Sequence, residues 1–585
     1  MSQKKKKAKA ETINSGYTKL NLSLAASVFF IAISSIFPLY FSRTGYMTIT
    51  QDKTIFFLFL TFFSAGAIII ALFITADRKR PFYYISRNLL NERPITIAEW
   101  SLLAFLLLTF ASAIASPWQD FVWNGFTFDN RQGRWEGFWA FLGYCLTFFI
   151  IARFYKPDRK HFIVFACSAI LLSLYGIMQY INFDILERTG YLLVIAPQPG
   201  PVTMPFRTTL GNINVVSAYC SLVIVLFAAL FAGENSKWNL FYLAASAFAF
   251  AMLTITRGYA GQVGVLGAMV LLIPYWVSDR KRLGRILIVL SSWSAVFAIN
   301  RIYFLLALRL PEINQPFSPN DRIFLQQLSP SFPVLFVVIA LVLLAAGLCL
   351  LLVFEKQKWQ WQWPERPMKI AGLVMLGVMI VGGLLFVEIE GARRADQPGN
   401  IIWQAREMLR GRLDDDFGSA RGWVWKNGFS VIRNNPWLGT GPDTFFFALG
   451  GTQMISLSDV IQSGVPRQMN ALDGLHVDAI QSVHMFFDKA HNMFLQIAVC
   501  QGIPALLAFL IFLGALFIPA IKKAFNQPVL LAFAAGSLSY LIQSFFQIDT
   551  PIDRPLIYLA LGVMAAELCR KKDQKADVSG SKETV

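Results

Sequence analysis

Apolar runs of about 20 residues, the length that crosses a bilayer core, recur along the chain with short polar breaks between them. They fall near 20–41, 54–76, 99–117, 136–152, 161–181, 210–232, 239–255, 259–277, 286–307, 332–354, 370–388, 492–519, 528–547 and 554–569. Fourteen such runs predict an all-α polytopic membrane protein with about 14 transmembrane helices, because helices satisfy their own backbone inside lipid. The rhythm fails once, between Ile389 and Lys489, where a long polar segment intervenes. Within it Trp425, Phe429 and Ile432 stand at i, i+4 and i+7, which predicts an amphipathic helix over 418–434. Asn435-Pro436 ends that helix, and Gly439-Thr440-Gly441-Pro442 makes a turn. The chain therefore divides into a basic tail (1–19), N-terminal spans (20–204), core spans (205–388), one large loop (389–489), C-terminal spans (490–569) and a second tail (570–585).

Composition agrees with this class: 55% of residues are hydrophobic, 15% are charged and the mean hydropathy is +0.51. Charge then orients the spans. If the tail MSQKKKKAKA is cytoplasmic, the inner segments hold 31 of the 52 Lys and Arg residues, against 11 in or beside the short outer loops and 10 in the long one. That bias puts both termini in the cytoplasm and 389–489 outside. The net charge of +17 is on this reading an orientation signal and a contact with anionic membrane lipids, with no nucleic acid as partner. The first span is full length with no clear cleavage site after it, so an anchor is expected rather than a signal peptide. All six cysteines fall within spans or at their inner ends, leaving no disulfide for the outer loop.

Candidate chemistry concentrates where the long loop meets the next span, in DKAHNMFLQIAVCQG (488–502). His491 there stands at a membrane face, where lipid-borne and water-borne reactants meet. It reads either as a general base, by virtue of an ordinary pKa near 6.5, or as a histidine that caps a helix start. Arg257, at the outer end of a span, is either an interfacial anchor or a guanidinium fork for pyrophosphate. Arg421 opens the amphipathic helix, where a cation opposes the helix dipole and a solvated surface position is the plain alternative. Asn212 and Asn214 offer amides to sugar or phosphate oxygens, and Arg207 and Arg134 add positive charge on the same face. Trp118, Trp123 and Trp135 suit sugar stacking or an interfacial aromatic belt equally. His484, seven residues before His491, lacks a third ligand at a supporting spacing, and Asp414 to Asp416 read as a solvated run, so neither a metal nor another cofactor is expected.

Five stretches carry a resemblance: RQGRWEGFWAFLGY (131–144), RTTLGNINVVSAY (207–219), ITRGYAGQVGVLGAMV (255–270), SARGWVWKNGFSVIRNNPWLGTGPDTFF (419–446) and KAHNMFLQIAVCQGIPALLAFL (489–510). In this order, with the fourth in a large outer loop and the fifth closing it, they resemble the O-antigen ligase and polysaccharide polymerase superfamily. The resemblance implies a metal-independent, inverting glycosyltransferase of the multi-span (C-type) kind in the bacterial cytoplasmic membrane. Its donor would be an undecaprenyl-pyrophosphate-linked glycan, and its acceptor a glycan, lipid or protein hydroxyl. It maps catalysis onto His491, Arg257 and Arg421, and substrate binding onto Arg207, Asn212, Asn214, Arg134 and Asn492. The rival readings are a transporter or flippase of the same lipid-linked glycan and a protein O-oligosaccharyltransferase. Against transport, charged residues such as Arg301, Glu388 and Glu567 are expected at span ends rather than mid-depth.

Overall fold

The computed structural model describes residues 22–74, 93–126, 133–181, 183–191, 208–235, 237–256, 258–309, 332–353, 364–395, 400–413, 415, 417–449, 453–456, 482–485 and 488–570. Helices dominate them. In chain order these are α1 (Leu22–Leu39, with a π-turn at Ala32–Ile36), α2 (Ile49–Ile74), α3 (Ile97–Ala115), α4 (Phe138–Phe154), α5 (Arg159–Tyr180) and α6 (Ile213–Gly233). Next come α7 (Asn239–Thr256), α8 (Tyr259–Leu271), α9 (Arg280–Arg309), α10 (Phe332–Leu348) and α11 (Glu365–Arg393). The former loop contributes α12 (Ile401–Leu409), α13 (Phe417–Asn434) and a short antiparallel pair, β1 (Gln453–Ser456) with β2 (Ser482–Met485). The chain closes with α14 (Met493–Gln501), α15 (Ile503–Lys523), α16 (Pro528–Gln543) and α17 (Arg554–Cys569).

Ten of these described helices are long and apolar enough to cross a membrane. Four of the fourteen expected spans are shorter: α4 has 17 residues, α8 has 13, α16 has 16 and α17 has 16. At about 1.5 Å per residue a 16-residue helix reaches roughly 24 Å, short of a hydrocarbon core of about 30 Å. The α6 helix is buried along its whole apolar window, and α7, α8, α9 and α16 pack around it, so it forms the axis of the core.

Two expected elements differ in detail. The span read as 492–519 is broken into α14 and α15 at Gly502, whose φ is +89° and whose Cβ, if present, would meet the Trp437 carbonyl oxygen at 2.3 Å. Pro504, two residues on, sits in the first turn of α15, where its missing N–H costs nothing. The helix ending at Gln501 leaves carbonyls unpaired, and the turn after α13 takes them: Thr440 N donates to Val499 O at 3.1 Å and Gly441 N to Cys500 O at 2.8 Å. Ser112 of α3 donates a third bond, to Cys500 O at 2.8 Å.

The second difference is the face that α13 buries. Phe429, expected on the apolar stripe, is 61% exposed, whereas Val424 is fully buried. Gly428 explains the rotation, because its bare Cα lets α13 approach Leu495 and Val499 closely; a Cβ there would lie 3.3 Å from Leu495 Cδ2. Val424, Phe445, Leu449, Ala490, Leu495, Val499 and Cys500 form the resulting cluster, with Trp425 and Ile432 against it.

Arg301 stands near the end of the candidate span Arg280–Tyr303, as expected, but it is not solvated there. It is buried within α9, and its Nε and Nη2 have no hydrogen-bond partner. Glu388 lies within α11, which runs on to Arg393, and it pairs with Arg406 of α12 and with Arg410, the residue that follows that helix.

Candidate active site

The packing of α13 onto the 488–500 segment positions two of the three expected catalytic residues. Trp425 Nε1 donates to the carbonyl of Ala490 at 2.9 Å, and Ala490 N donates to Gln496 Oε1 at 2.8 Å, so the residue before His491 is held on both sides. Arg421 stands one helical turn before Trp425 and shares its face. The next residue, His491, takes a left-handed backbone with φ +51° and then enters α14 through Asn492. Its Nδ1 is buried and has no hydrogen-bond partner, and neither has Arg421 Nε.

Burial is the main reason that the His491 pKa falls, to about 4, with the Arg421 and Arg134 charges adding to the fall and Asp488 opposing it. The imidazole is therefore neutral near pH 7. Burial likewise pulls the Arg421 guanidinium down from its ordinary value.

Arg134 is not a free positive charge on that face. Its Nε is ion-paired with the Asp488 carboxylate, and its backbone N–H donates to Asp443 Oδ2 at 3.0 Å. Asn492 is spent as an N-cap: its side-chain oxygen accepts from Phe494 N and Leu495 N, both at 3.0 Å. Asn212 does the same for α6, accepting from Asn214 N at 2.8 Å, yet it also lines a cavity with Arg134. Asn214 lies in the first turn behind it and is not on that cavity wall. Arg257 and Arg207 lie outside the described residues, as do Asp414 and Asp416. Asp415 is taken by Lys426 at 2.7 Å. His484 falls on β2, opposite Met454. Trp118 stacks on Phe447 and Trp123 packs edge-on against Phe138, so both brace the loops.

Residue types alone do not reveal the buried charge network beside His491. Lys489 Nζ reaches Glu136 Oε2 at 2.6 Å and Asp443 Oδ1 at 2.5 Å. Arg554 Nη1 takes the other Glu136 oxygen at 3.1 Å, and its Nη2 lies 3.4 Å from Asp549 Oδ2. Tyr540 donates to Asp553 at 2.6 Å and to Asp549 at 3.1 Å, and Tyr144 donates to Glu136 at 3.2 Å. Burial lowers the Lys489 ammonium pKa, but Asp443 and Glu136 more than reverse this, and it ends above its ordinary value. Burial raises Asp443 in spite of Lys489, and burial together with Asp549 lifts Asp553 to about 7. Three carboxylates, Glu136, Asp443 and Asp549, thus face two cations, and Asp553 is joined to Asp549 through Tyr540, so excess negative charge favours protonation on the aspartate side. Glu136, Asp443 and Lys489 all lie inside stretches singled out by sequence (RWEG, GTGPD and KAHN); for Glu136 and Lys489 the placement directly against span ends was the available signal, and Asp443, deep in the long loop, had none.

These features define a polytopic helical membrane protein with a charged, water-poor site where the ends of α4, α14, α16 and α17 meet the α13 segment. Residues 336–510 of the 585 match the family model described as O-antigen ligase (Wzy_C), and the match supports the O-antigen ligase and polymerase superfamily for this chain. It takes in Arg421, Asp443, Lys489 and His491 and stops short of Arg134 and Asn212. No curated protein matches the chain. The family implies glycosyl transfer at a membrane in general terms.

Proposed function

We propose that the protein transfers a glycan from an undecaprenyl-pyrophosphate donor onto an acceptor hydroxyl at the outer face of the bacterial cytoplasmic membrane, with both termini in the cytoplasm, without a metal and with inversion. The observation that supports this most directly is a neutral, half-buried histidine whose buried Nδ1 has no partner, in the field of an arginine whose Nε also lacks one. His491 removes the acceptor proton as the acceptor oxygen bonds to the anomeric carbon. The bond from that carbon to the pyrophosphate oxygen breaks in the same step, and its electron pair leaves with undecaprenyl pyrophosphate. Arg421, together with Arg257, holds the charge that grows on this leaving group.

A histidine with a pKa of about 4 is a weak base in the free enzyme. Donor binding relieves this in part: a pyrophosphate that pairs with Arg421 cancels the second cause of the depression, burial being the first, and adds negative charge beside the ring, so the base is stronger with the donor present than without it. Such coupling discourages activation of water in the empty site.

The test is the pair His491→Ala and Arg421→Lys with purified lipid-linked donor. The histidine variant should bind donor like the wild type and transfer nothing. The lysine variant keeps the charge but loses the planar fork, so rescue should be partial. Transfer at the wild-type rate by His491→Ala would reduce His491 to a structural residue.

A further inference from the structure

A cavity of about 320 Å³ opens beside the site, between the loop leading into α2, Phe126 with residues 133–135, the start of α6 and the 548–552 segment. We propose that it is the subsite for a neutral sugar ring of the glycan; this rests on the glycosyl-transfer reading above and names what sits next to the reacting centre.

The lining decides the ligand class. Tyr46, Thr48, Gln51 and Asn212 bring hydroxyls and amides, which match the mixed donors and acceptors of a polyol. Among the described residues on its wall, Arg134 alone is charged, and its guanidinium is already paired with Asp488. Among the described residues a pyrophosphate would find no spare cation on this wall, whereas a neutral ring needs none. The volume sits at the low end of small-ligand pockets, room for about one or two sugar rings and far too little for a long prenyl chain.

The wall is also built rigidly. Trp135 is held at φ +60° and stacks on Phe126 with centroids 4.7 Å apart, placing an aromatic pair on the wall. Gly211, at φ +78°, lets the start of α6 come so close to α2 that a Cβ would meet Ile49 Cδ1 at 2.6 Å. Arg134 ties this chamber to the base: one end of it lines the cavity, and its charge reaches Asp488 and His491.

The experiment fills the cavity from the first turn of α2 with Thr50→Trp and, as a milder partner, removes an amide with Gln51→Leu; neither touches His491, Arg421 or the buried ion network. The full chain in detergent is probed by saturation-transfer NMR with the oligosaccharide released from the lipid-linked donor by mild acid, and separately with sugar-free undecaprenyl pyrophosphate. We expect roughly tenfold weaker oligosaccharide binding in Thr50→Trp, a smaller loss in Gln51→Leu and unchanged binding of the sugar-free lipid in both. Competition by the oligosaccharide against the lipid-linked donor marks the ring as the donor's, and competition against the acceptor marks it as the acceptor's. Unchanged oligosaccharide binding in both variants overturns the proposal, and so does equal loss of the sugar-free lipid, which would make the cavity a pyrophosphate site. Because the binding readout needs no turnover, it stands or falls apart from the His491 test.

Discussion

Arg421→Gln isolates the electrostatic link on which the proposed base depends. In the intact site His491 titrates at about 4 rather than 6.5, first because of burial and second because of Arg421. A displacement of that size is a bias of roughly 3 kcal/mol against the imidazolium, which leaves about one ring in a thousand protonated at pH 7. Removing the guanidinium takes away the second cause and leaves the first, so the pKa should rise but stay below 6.5. The sign for stability follows. A depressed histidine contributes stability that is fully present above about pH 6.5 and is lost as the pH falls toward 4, and the variant should lose less of it. The chain has four histidines, His161, His476, His484 and His491, so ring-carbon NMR on histidine-labelled protein with a His491→Gln spectrum for assignment reads the titration directly. The acid limb of kcat/KM, which reports the free enzyme, should move to higher pH in step with it. A wild-type His491 titrating near 6.5, or a pKa indifferent to Arg421→Gln, would refute the donor-coupled base.

Four further outcomes are expected. Lys489→Met leaves Glu136 and Asp443 buried without their shared cation, a loss of about 3–5 kcal/mol, read as a large drop in thermal stability in detergent that Asp443→Asn partly restores. Gly502→Ala forces a Cβ against the Trp437 carbonyl at a left-handed backbone, costing of order 1–3 kcal/mol in strain, and should lower both stability and turnover in the same assays. Transfer from lipid-linked donor should survive excess EDTA; loss restored by Mg²⁺ or Mn²⁺ would bring a metal into the mechanism. Phe429→Cys, on the exposed side of α13, should react with a membrane-impermeant thiol reagent in whole cells, and protection there with labelling only after lysis would invert the proposed orientation.

Periodicity made the helices and the α13 boundary readable, since span-length apolar runs and a proline after Asn435 are strong local signals. It misjudged what depends on a neighbour. The face of α13 turned because Gly428 admits Leu495, a contact invisible to an i, i+4, i+7 count. The break at Gly502 hid inside a continuous apolar run, because hydropathy does not register a backbone angle. Among site residues, His491 and Arg421 come together as their motifs suggest, whereas Asn492 turned out to be a cap and Arg134 an ion-pair partner. The acidic half of the site went unread: Glu136, Asp443, Asp549 and Asp553 are spread over three loops, and only the fold shows that the first three face Lys489 and Arg554 and that Tyr540 joins Asp553 to them.

The short helices and the buried charges have one physical cause. Irregular backbone at membrane depth is tolerated only where protein covers it or a cavity opens beside it, and α4, α16 and α17 stop short at the same end of the bundle, where loops 133–137 and 544–553 can be covered in this way. The 436–444 turn covers the gap that remains: its N–H groups cap the carbonyls freed at Gly502, and Asp443 from the same turn clamps Arg134 and Glu136 through their backbone N–H groups at 3.0 and 3.2 Å. Lys489 then ties that clamp to the strand of chain that ends in His491. A shift of the helix break thus reaches the base through two hydrogen-bonded loops and one ion pair, so substitutions at Gly502, Asp443 and Lys489 should depress turnover together, although none of the three touches the reacting atoms.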